Sequence, residues 1–292
     1  MERVVLENFG SRTNYAKRLA RVTAYIYEHL DEDIDLAVLA EVAALSPWHW
    51  HRIYHALYGE TVAATVRRLR LQRASGDLVN TTMIVEQIAR RAGYETVPAF
   101  SRAFRAAYGM PPVRYREQGG HARFSDPTHE GDSAMFSVEI RRLPELSLAA
   151  INHIGPYMEI GRAFDQLYGT LAARGQITPG MRSIGVYLDD PSAVAEDRLR
   201  AQAAIVIDDG FTLAPPLEPA VIHGGIYAVL SYKGPYSDMR AAYNWLFGEW
   251  LVRAGHEADD APAFEEYLNN PRDTPPTELR TDIHLKLREA PR

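Results

Sequence analysis

The sequence predicts a protein of two domains: an all-α domain with two helix-turn-helix units, then an α+β domain built as a pseudo-twofold duplication. Two internal repeats support this fold class. Residues 36–59 and 85–109 are two copies of one pattern, and the second copy has one extra residue at its turn. Each copy has an Ala-rich helix, a tight turn and a helix with an aromatic and a basic face. Further along the chain, the pattern of 153–167 recurs at 232–246.

A segment of irregular composition separates the two repeats. Residues 118–134 are rich in Gly, Ser, Asp and Pro and show no hydrophobic periodicity. Such a stretch is typical of an interdomain linker. We therefore expect an N-terminal domain at 1–118, a linker at 119–135 and a C-terminal domain at 136–289.

The composition indicates a globular protein without disulfides. Of the 292 residues, 46% are hydrophobic, 24% are charged and none is cysteine. The lack of cysteine excludes disulfides and thiolate zinc sites in this chain. No apolar run approaches the roughly 18 residues of a transmembrane helix, and residues 1–10 do not resemble a signal peptide. We expect a cytoplasmic protein with no membrane partner.

The charge is distributed unevenly between the two domains. The net charge is −6, but residues 1–120 carry +3 and residues 121–292 carry −9. Within 42–120 the balance is +6. A surface that contacts phosphates is therefore expected in the N-terminal domain alone.

Apolar spacing and capping residues define the expected helices of the first domain. Ser46 and Pro47 supply an N-cap and a proline at the first helical position, which predicts a helix at 47–58. A longer helix at about 62–78 would join the two units. The side chains expected to face inward are Trp50, Ile53, Tyr54 and Leu57 in the first unit and Phe100, Ala103, Phe104 and Ala107 in the second.

Two segments of this domain resemble the AraC-type transcription regulators. The C-terminal signature of that family is similar to GYETVPAFSRAFRAAYGMPPVRYR at 93–116. Its first unit and linker helix are similar to SPWHWHRIYHALYGETVAATVRRLRLQRA at 46–74. The resemblance implies that double-stranded DNA is a partner, read in successive major-groove segments by the helices at 47–58 and 97–108.

The outward positions of these two helices are the expected DNA contacts. They are Trp48, His49, His51, Arg52, Val97, Pro98, Ser101, Arg102 and Arg105. Arg52 and Arg102 are equivalent in the repeat, and each could pair with guanine O6 and N7. The alternative for both is a phosphate clamp without sequence preference. Val97 and Pro98 have no hydrogen-bonding side chain, so the second unit would read thymine methyls or serve as an anchor.

A metal site is a weak alternative for the histidines of the first unit. His51 and His55 lie one helical turn apart. Zinc would require two further ligands, and the sequence places none nearby. We expect no metal and no cofactor.

The second duplication resembles the GyrI-like effector-binding domain across 136–288. The matching motifs are HIGPY, YLDDP, YKGPY and FEEYLNNP. SIGVYLDDP at 183–191 recurs as AFEEYLNNP at 263–271. The resemblance implies a sensor of lipophilic, often cationic or aromatic, small molecules. Stand-alone relatives of this fold include hydrolases of strained electrophilic compounds.

Glu265 is the candidate ligand-binding carboxylate. Because side chains alternate along a strand, the repeat puts Glu265 on one face with Gly185, Tyr187 and Tyr267. The opposite face, expected to pack on the helices, holds Ile184, Val186, Leu188, Phe264, Glu266 and Leu268. The resemblance assigns the glutamate to ligand binding. A carboxylate among aromatic rings is costly to desolvate until a cation arrives. Alternatively, Glu265 is solvated or bonds an arginine, or a one-residue slip exchanges it with Glu266.

Aromatic side chains complete the predicted ligand groove. They are Tyr267, Tyr187, Tyr157, Tyr236, Trp245 and Trp250. For the last four, the helical spacing suits core packing at least as well as groove lining.

These features together predict a DNA-binding transcription regulator controlled by a small-molecule effector, with RNA polymerase as a further candidate partner. One alternative keeps the DNA-binding domain but makes the C-terminal domain a hydrolase, with Glu265 as general base or nucleophile. Another is a constitutive DNA-binding protein whose C-terminal domain binds a protein partner.

Overall fold

The structure, a computed structural model, describes residues 18–44, 54–55, 58–118, 136–191 and 193–289. Four expected DNA contacts lie outside these ranges, namely Trp48, His49, His51 and Arg52, as do the expected inward residues Trp50, Ile53 and Leu57. No helix in the described ranges is long and apolar enough to cross a membrane. The described residues also contain no cluster of three or more His, Asp or Glu side chains that could hold a metal ion.

The N-terminal domain is helical. The helices of its described part are α1 (18–28), α2 (Leu36–Ala43), α3 (Val62–Asn80), α4 (Val85–Arg91), α5 (Val97–Tyr108) and α6 (Pro112–Gln118). Side-chain caps fix where three of them begin: Asp35 accepts from Ala37 N, Thr61 from Ala64 N and Thr96 from Ala99 N. Helix α5 ends at Gly109, whose φ of 74° is readily available only to glycine.

Each helix-turn-helix unit has its own core, and α3 joins the two. The first core contains Leu19, Val22, Ile26, Leu39, Tyr54 and Leu69. The second contains Leu71, Ile88, Phe100, Phe104, Tyr108 and Tyr115. The predicted inward positions of Tyr54, Phe100 and Phe104 are confirmed, whereas Ala103 and Ala107 are only half-buried. Leu69 and Leu71 belong to different cores, so α3 fixes the spacing of the two units.

The C-terminal domain is an antiparallel sheet with helices on one face. Within 136–289 the strands are β1 (Ser137–Leu143), β2 (Leu146–Ile154), β3 (Ser183–Tyr187), β4 (Arg200–Ile207), β5 (Glu218–Ile222), β6 (Gly225–Lys233), β7 (Ala263–Tyr267) and β8 (Arg280–Leu287). Their order in the sheet is β1-β6-β8-β7-β3-β4-β2-β5. The helical segments are α7 (Gly161–Arg174), α8 (Met239–Trp245), a π-helical turn (Leu246–Trp250) and α9 (Leu251–Ala254). Each copy of the repeat thus contains a strand, a Gly-Pro-Tyr turn, a helix and two further strands, in that order.

The sheet has the pseudo-twofold symmetry of the sequence repeat. Strands β3 and β7 are equivalent and pair with each other at its centre, with Gly185 directly opposite Glu265. Each outer strand pairs with the other copy, since β1 pairs with β6 and β5 with β2. The two copies therefore complete one sheet together.

The helices pack on the face opposite to the one expected. Helix α7 buries Leu167 and Leu171 against Ala203 and Ile205, and α8 buries Ala242 beside Ile283. Because Gly185 pairs with Ala203 and Glu265 pairs with Ile283, the helix face is the one that carries Glu265. The expectation that the Ile184 face packs on the helices is therefore wrong.

The curvature of the sheet explains this correction. The short connection Pro144–Glu145 joins β1 at one edge to β2 near the other edge, so the sheet curls. Residues from distant strands meet on the helix-free side, where Leu146, Ile184, Ile222, Tyr227 and Phe264 share one core. Both faces of the central strands are thus buried, and hydrophobicity alone could not tell which one carries the helices.

Candidate functional site

The site centres on Glu265, a carboxylate enclosed by tyrosine hydroxyls. Its side chain lies on β7 and is 4% exposed. Oε2 accepts hydrogen bonds from Tyr267 at 2.8 Å and from Tyr187 at 3.2 Å. Oε1 accepts one from Tyr243 of α8 at 2.9 Å. The two sheet tyrosines also bond each other, with their hydroxyl oxygens 2.6 Å apart.

Gly185 provides the space in which this cluster forms. A Cβ atom at this position would lie 2.8 Å from the hydroxyl oxygen of Tyr267 and 3.3 Å from Cε2 of Tyr187. Both rings therefore pass over the glycine to reach Glu265. The repeat explains the arrangement, because one copy supplies the glycine where the other supplies the carboxylate.

The chemistry of Glu265 depends on its burial. Burial raises its pKa to about 7, although the hydrogen bonds from Tyr267, Tyr243 and Tyr187 act in the opposite direction. Burial and the nearby Glu265 raise the pKa of each of these three tyrosines well above its usual range, so the hydroxyls stay protonated. Among the described residues, no Lys, Arg or His forms an ion pair with Glu265. The carboxyl group therefore changes charge near neutral pH without a counter-ion among the described residues.

Three further rings pack against the sheet tyrosines. Tyr157 meets Tyr187 edge-on at 4.8 Å between ring centroids, and Tyr236 meets Tyr267 at 5.6 Å. Phe164 of α7 contacts Tyr267 at 5.4 Å. The structure thus brings four predicted groove tyrosines together around Glu265.

Tyr243 and Phe164 are two site residues that were not predicted from the sequence. They occupy equivalent positions in α8 and α7, since each follows its own Gly-Pro-Tyr motif at the same distance along the chain. The repeat therefore contained the signal. It was missed because helical spacing does not show which side of the helix faces a strand and which faces a neighbouring domain.

The two predicted groove tryptophans lie in a different cluster. Trp245 packs edge-on against Phe136 at 5.5 Å, and Trp250 stacks on His256 at 6.3 Å. Both flank the core formed by α8 and β6. Their part in ligand binding stays a prediction.

Glu266 points to the helix-free face, so the expectation that it faces the helices is wrong. It forms a two-point ion pair with Arg182, at 2.6 and 2.8 Å. Burial alone would raise its pKa, but Arg182 holds the pKa below its usual range. The register therefore places Glu265, rather than Glu266, among the tyrosines.

The described part of the candidate DNA surface is the outer face of α5. Pro98, Arg102 and Arg105 are exposed, while Val97 and Ser101 are half-buried. Val97 packs against the second helix-turn-helix core. The side chains of Arg102 and Arg105 are thus presented to solvent from one helix.

Several arginines of the N-terminal domain form ion pairs within the domain and do not contribute to an exposed basic surface. Arg68 pairs with Glu60 at 2.7 Å, Arg73 with Asp31 at 2.9 Å and Arg91 with Asp77 at 3.0 Å. Within 58–118, the exposed arginines that form no ion pair with a described residue are Arg67, Arg90, Arg102, Arg105 and Arg114. The positive balance of 42–120 therefore overstates the charge available to phosphates.

Two family models match the chain. A GyrI-like small-molecule-binding domain matches residues 136–288, and a helix-turn-helix domain matches residues 39–118. The DNA gyrase inhibitor of Yersinia enterocolitica is 31% identical over 138 residues, 46% of this chain and 86% of that protein. The match thus covers most of that protein and less than half of this chain.

Two regulators resemble the chain over shorter stretches. The uncharacterized HTH-type transcriptional regulator YbfP of Bacillus subtilis is 34% identical over 102 residues, 35% of this chain. The chain spans 35% of the length of YbfP. The regulatory protein SoxS of Escherichia coli is 29% identical over 105 residues, 36% of this chain and 98% of SoxS. With both domain models matched in order, the chain belongs to the GyrI-like family and carries an AraC-type helix-turn-helix domain before its small-molecule-binding domain.

Proposed function

We propose that this protein is a transcription regulator controlled by a lipophilic cation that binds at Glu265. The main support for this proposal is the environment of the Glu265 carboxylate. It is 4% exposed and, among the described residues, accepts hydrogen bonds only from tyrosine hydroxyls. Ionising a buried carboxyl without a counter-ion is unfavourable, which is why burial raises the pKa of Glu265 to about 7. A cationic ligand would supply the missing charge, and the surrounding rings would add cation–π attraction.

In this proposal the helix-turn-helix domain binds DNA. The exposed face of α5 offers Arg102 and Arg105 for the major groove, and Arg52 of the first unit would have the equivalent role. The protein would act in the cytoplasm, with RNA polymerase as the partner of the DNA-bound regulator. An effector changes DNA binding only through its different affinities for two arrangements of the domains.

One observation favours a hydrolase as the second candidate. A carboxyl group with a pKa of about 7 is suited to act as a general base near neutral pH. In the structure, however, three tyrosines occupy both of its oxygens. The two functions differ in whether a bound compound is recovered unchanged, which mass spectrometry after prolonged incubation measures directly.

The proposal is tested by Glu265→Gln, with Glu266→Gln as the matched control. Tetraphenylphosphonium and the neutral triphenylphosphine oxide are titrated calorimetrically into both full-length variants and the unaltered protein. Glu265→Gln should lose the preference for the cation, and Glu266→Gln should keep it, because Glu266 lies on the opposite face. A preference that survives in Glu265→Gln contradicts the assignment of Glu265.

A further inference from the structure

Helix α3, which joins the two helix-turn-helix units, bonds equivalent positions of both sensor copies. Nε2 of Gln72 donates to the carbonyl oxygen of Met158 at 3.4 Å. Oγ of Ser75 donates to Oγ of Ser237 at 3.0 Å. Met158 and Ser237 are equivalent in the repeat, because each directly follows the tyrosine of a Gly-Pro-Tyr motif. Gln72 and Ser75 are three residues apart, hence on one side of the helix.

Each of these contacts is adjacent in sequence to a tyrosine that lines the Glu265 site. Met158 directly follows Tyr157, whose ring packs on Tyr187. Ser237 directly follows Tyr236, whose ring packs on Tyr267. Helix α3 therefore bonds the residue that follows each outer tyrosine of the site. The helix that joins the two helix-turn-helix units and the ligand site are thus connected through these two turns.

The contact between α3 and the second Gly-Pro-Tyr turn, at 234–236, belongs to a buried hydrogen-bond network. The hydroxyl of Tyr115 donates to Oδ1 of Asp238 at 2.9 Å and lies 2.9 Å from Oγ of Ser237. Ser75, Ser237 and Asp238 are all at most 4% exposed. Tyr115 belongs to α6 and packs in the core of the second helix-turn-helix unit, so this unit is fixed to the same turn. Polar groups buried in this way hold one docked arrangement, because each needs its partner.

A second contact between the domains is ionic. Arg272, from the loop between β7 and β8, bonds Asp165 of α7 and donates to the carbonyl oxygen of Tyr58 at 2.9 Å. Its guanidinium lies 3.4 Å from Glu60 and 4.7 Å from the centroid of the Tyr58 ring. Buried ion pairs of this kind add little net stability relative to solvated charges. These contacts between the domains are thus polar and specific in geometry.

There is space for the second turn to move. A cavity of about 250 Å³ lies between α3 and this turn, lined by Leu71, Ser75 and Tyr236 among others. Tyr236 therefore borders the cavity and also packs on Tyr267 of the closed site. A ligand that bonds Glu265 must displace a hydroxyl of Tyr187, Tyr243 or Tyr267. The outer pair, Tyr157 and Tyr236, packs on two of these rings, and α3 bonds the residue that follows each of them.

We infer that α3 clamps the two Gly-Pro-Tyr turns over Glu265, so that an effector entering the site spreads the turns and releases the DNA-binding domain from the sensor. This inference rests on the proposed function. Docking of α3 on the turns and binding of the effector then oppose each other. By thermodynamic linkage, each lowers the equilibrium constant of the other by the same factor.

The chain offers a direct test because it contains no cysteine. The double variant Ser75→Cys with Ser237→Cys places two thiols where the hydroxyl oxygens are 3.0 Å apart. Oxidation should join them and lock the clamp in the full-length protein. Tetraphenylphosphonium affinity is then measured before and after reduction, with each single cysteine variant as a control.

We expect oxidation to weaken tetraphenylphosphonium binding by about tenfold or more and reduction to restore it, because only the open state admits the ligand. Loosening the clamp with Tyr115→Phe and Ser237→Ala should strengthen binding. Equal affinity in the oxidised and reduced forms overturns the clamp and leaves the proposed function intact. Failure of the two thiols to join also overturns it, because the docked contact is then not populated. Absence of binding in every form overturns the proposed function as well.

Discussion

Gly185 and Glu265 face each other across the central strand pair, where the two copies of the repeat meet. The glycine leaves the space through which two tyrosine rings reach the carboxylate. These two positions are equivalent in the repeat but carry different residues, and this difference makes room for the site. Substitution of either residue therefore has a predictable consequence.

Gly185→Ala should destabilise the C-terminal domain by about 1–3 kcal/mol, because the added methyl overpacks the site. The new Cβ would lie 2.8 Å from the Tyr267 hydroxyl and force that ring away from Glu265. Gly248→Ala is the control, since a Cβ there meets nothing within 4 Å. Urea denaturation of both variants measures the effect. Equal stabilities for the two would contradict the packing argument.

The stability of the protein should depend on pH through Glu265. Folding raises the pKa of this carboxyl from about 4.5 to about 7, so the folded state favours the protonated form. Its contribution is fully present below pH 4.5 and is lost as the pH rises through 7. Relative to Glu265→Gln, the unaltered protein should lose roughly 3 kcal/mol of unfolding free energy between pH 4.5 and 8. Unfolding curves that differ by a constant amount across this range would count against a raised pKa.

Cation binding should follow the same ionisation. Tetraphenylphosphonium affinity is expected to rise as the pH increases through about 7, because the deprotonated carboxylate is the form that attracts a cation. Affinity for triphenylphosphine oxide should change little over this range. Calorimetric titrations at pH 6, 7 and 8 compare the two ligands. A parallel rise for both would assign the pH effect to another group.

Arg102→Ala and Arg105→Ala should each weaken specific DNA binding by about 1–3 kcal/mol without changing thermal stability. Both side chains are exposed on α5 and form no ion pair with a described residue. Arg91→Ala is the contrasting variant, because it removes the pairs with Asp31 and Asp77 and should lower stability. Binding is measured on a duplex selected from random sequences and on unselected DNA. Equal losses on the two would make Arg102 and Arg105 phosphate contacts.

Residues 136–289 should fold without the N-terminal domain, since the two copies supply all strands of the sheet. The interface exposed in this fragment is polar, with Ser237, Asp238, Asp165 and Arg272 among its residues. Circular dichroism and sedimentation of the fragment test this domain boundary. Aggregation of the fragment beside a soluble full-length chain would argue that α3 is required for folding.

The repeats in the sequence are sufficient to predict the central groups of the candidate site. The second repeat aligned Gly185 with Glu265, and strand alternation put Tyr187 and Tyr267 on the same face. These are local properties, because side chains two residues apart on a strand share a face wherever the strand lies. The family resemblance also implied a helix at 97–108, and the structure has it at Val97–Tyr108.

Only the tertiary structure decided which sheet face carries the helices, which arginines face solvent and how the domains dock. The curl of the sheet buries Ile184 and Phe264 on its helix-free side, so both faces look hydrophobic in the sequence. Arg68 and Arg73 contribute to the positive balance of 42–120, but the structure pairs them with Glu60 and Asp31. Ser75 and Ser237 lie in different domains and carry no pattern that links them. Such contacts depend on how distant segments pack, and neither local propensity nor periodicity contains that information.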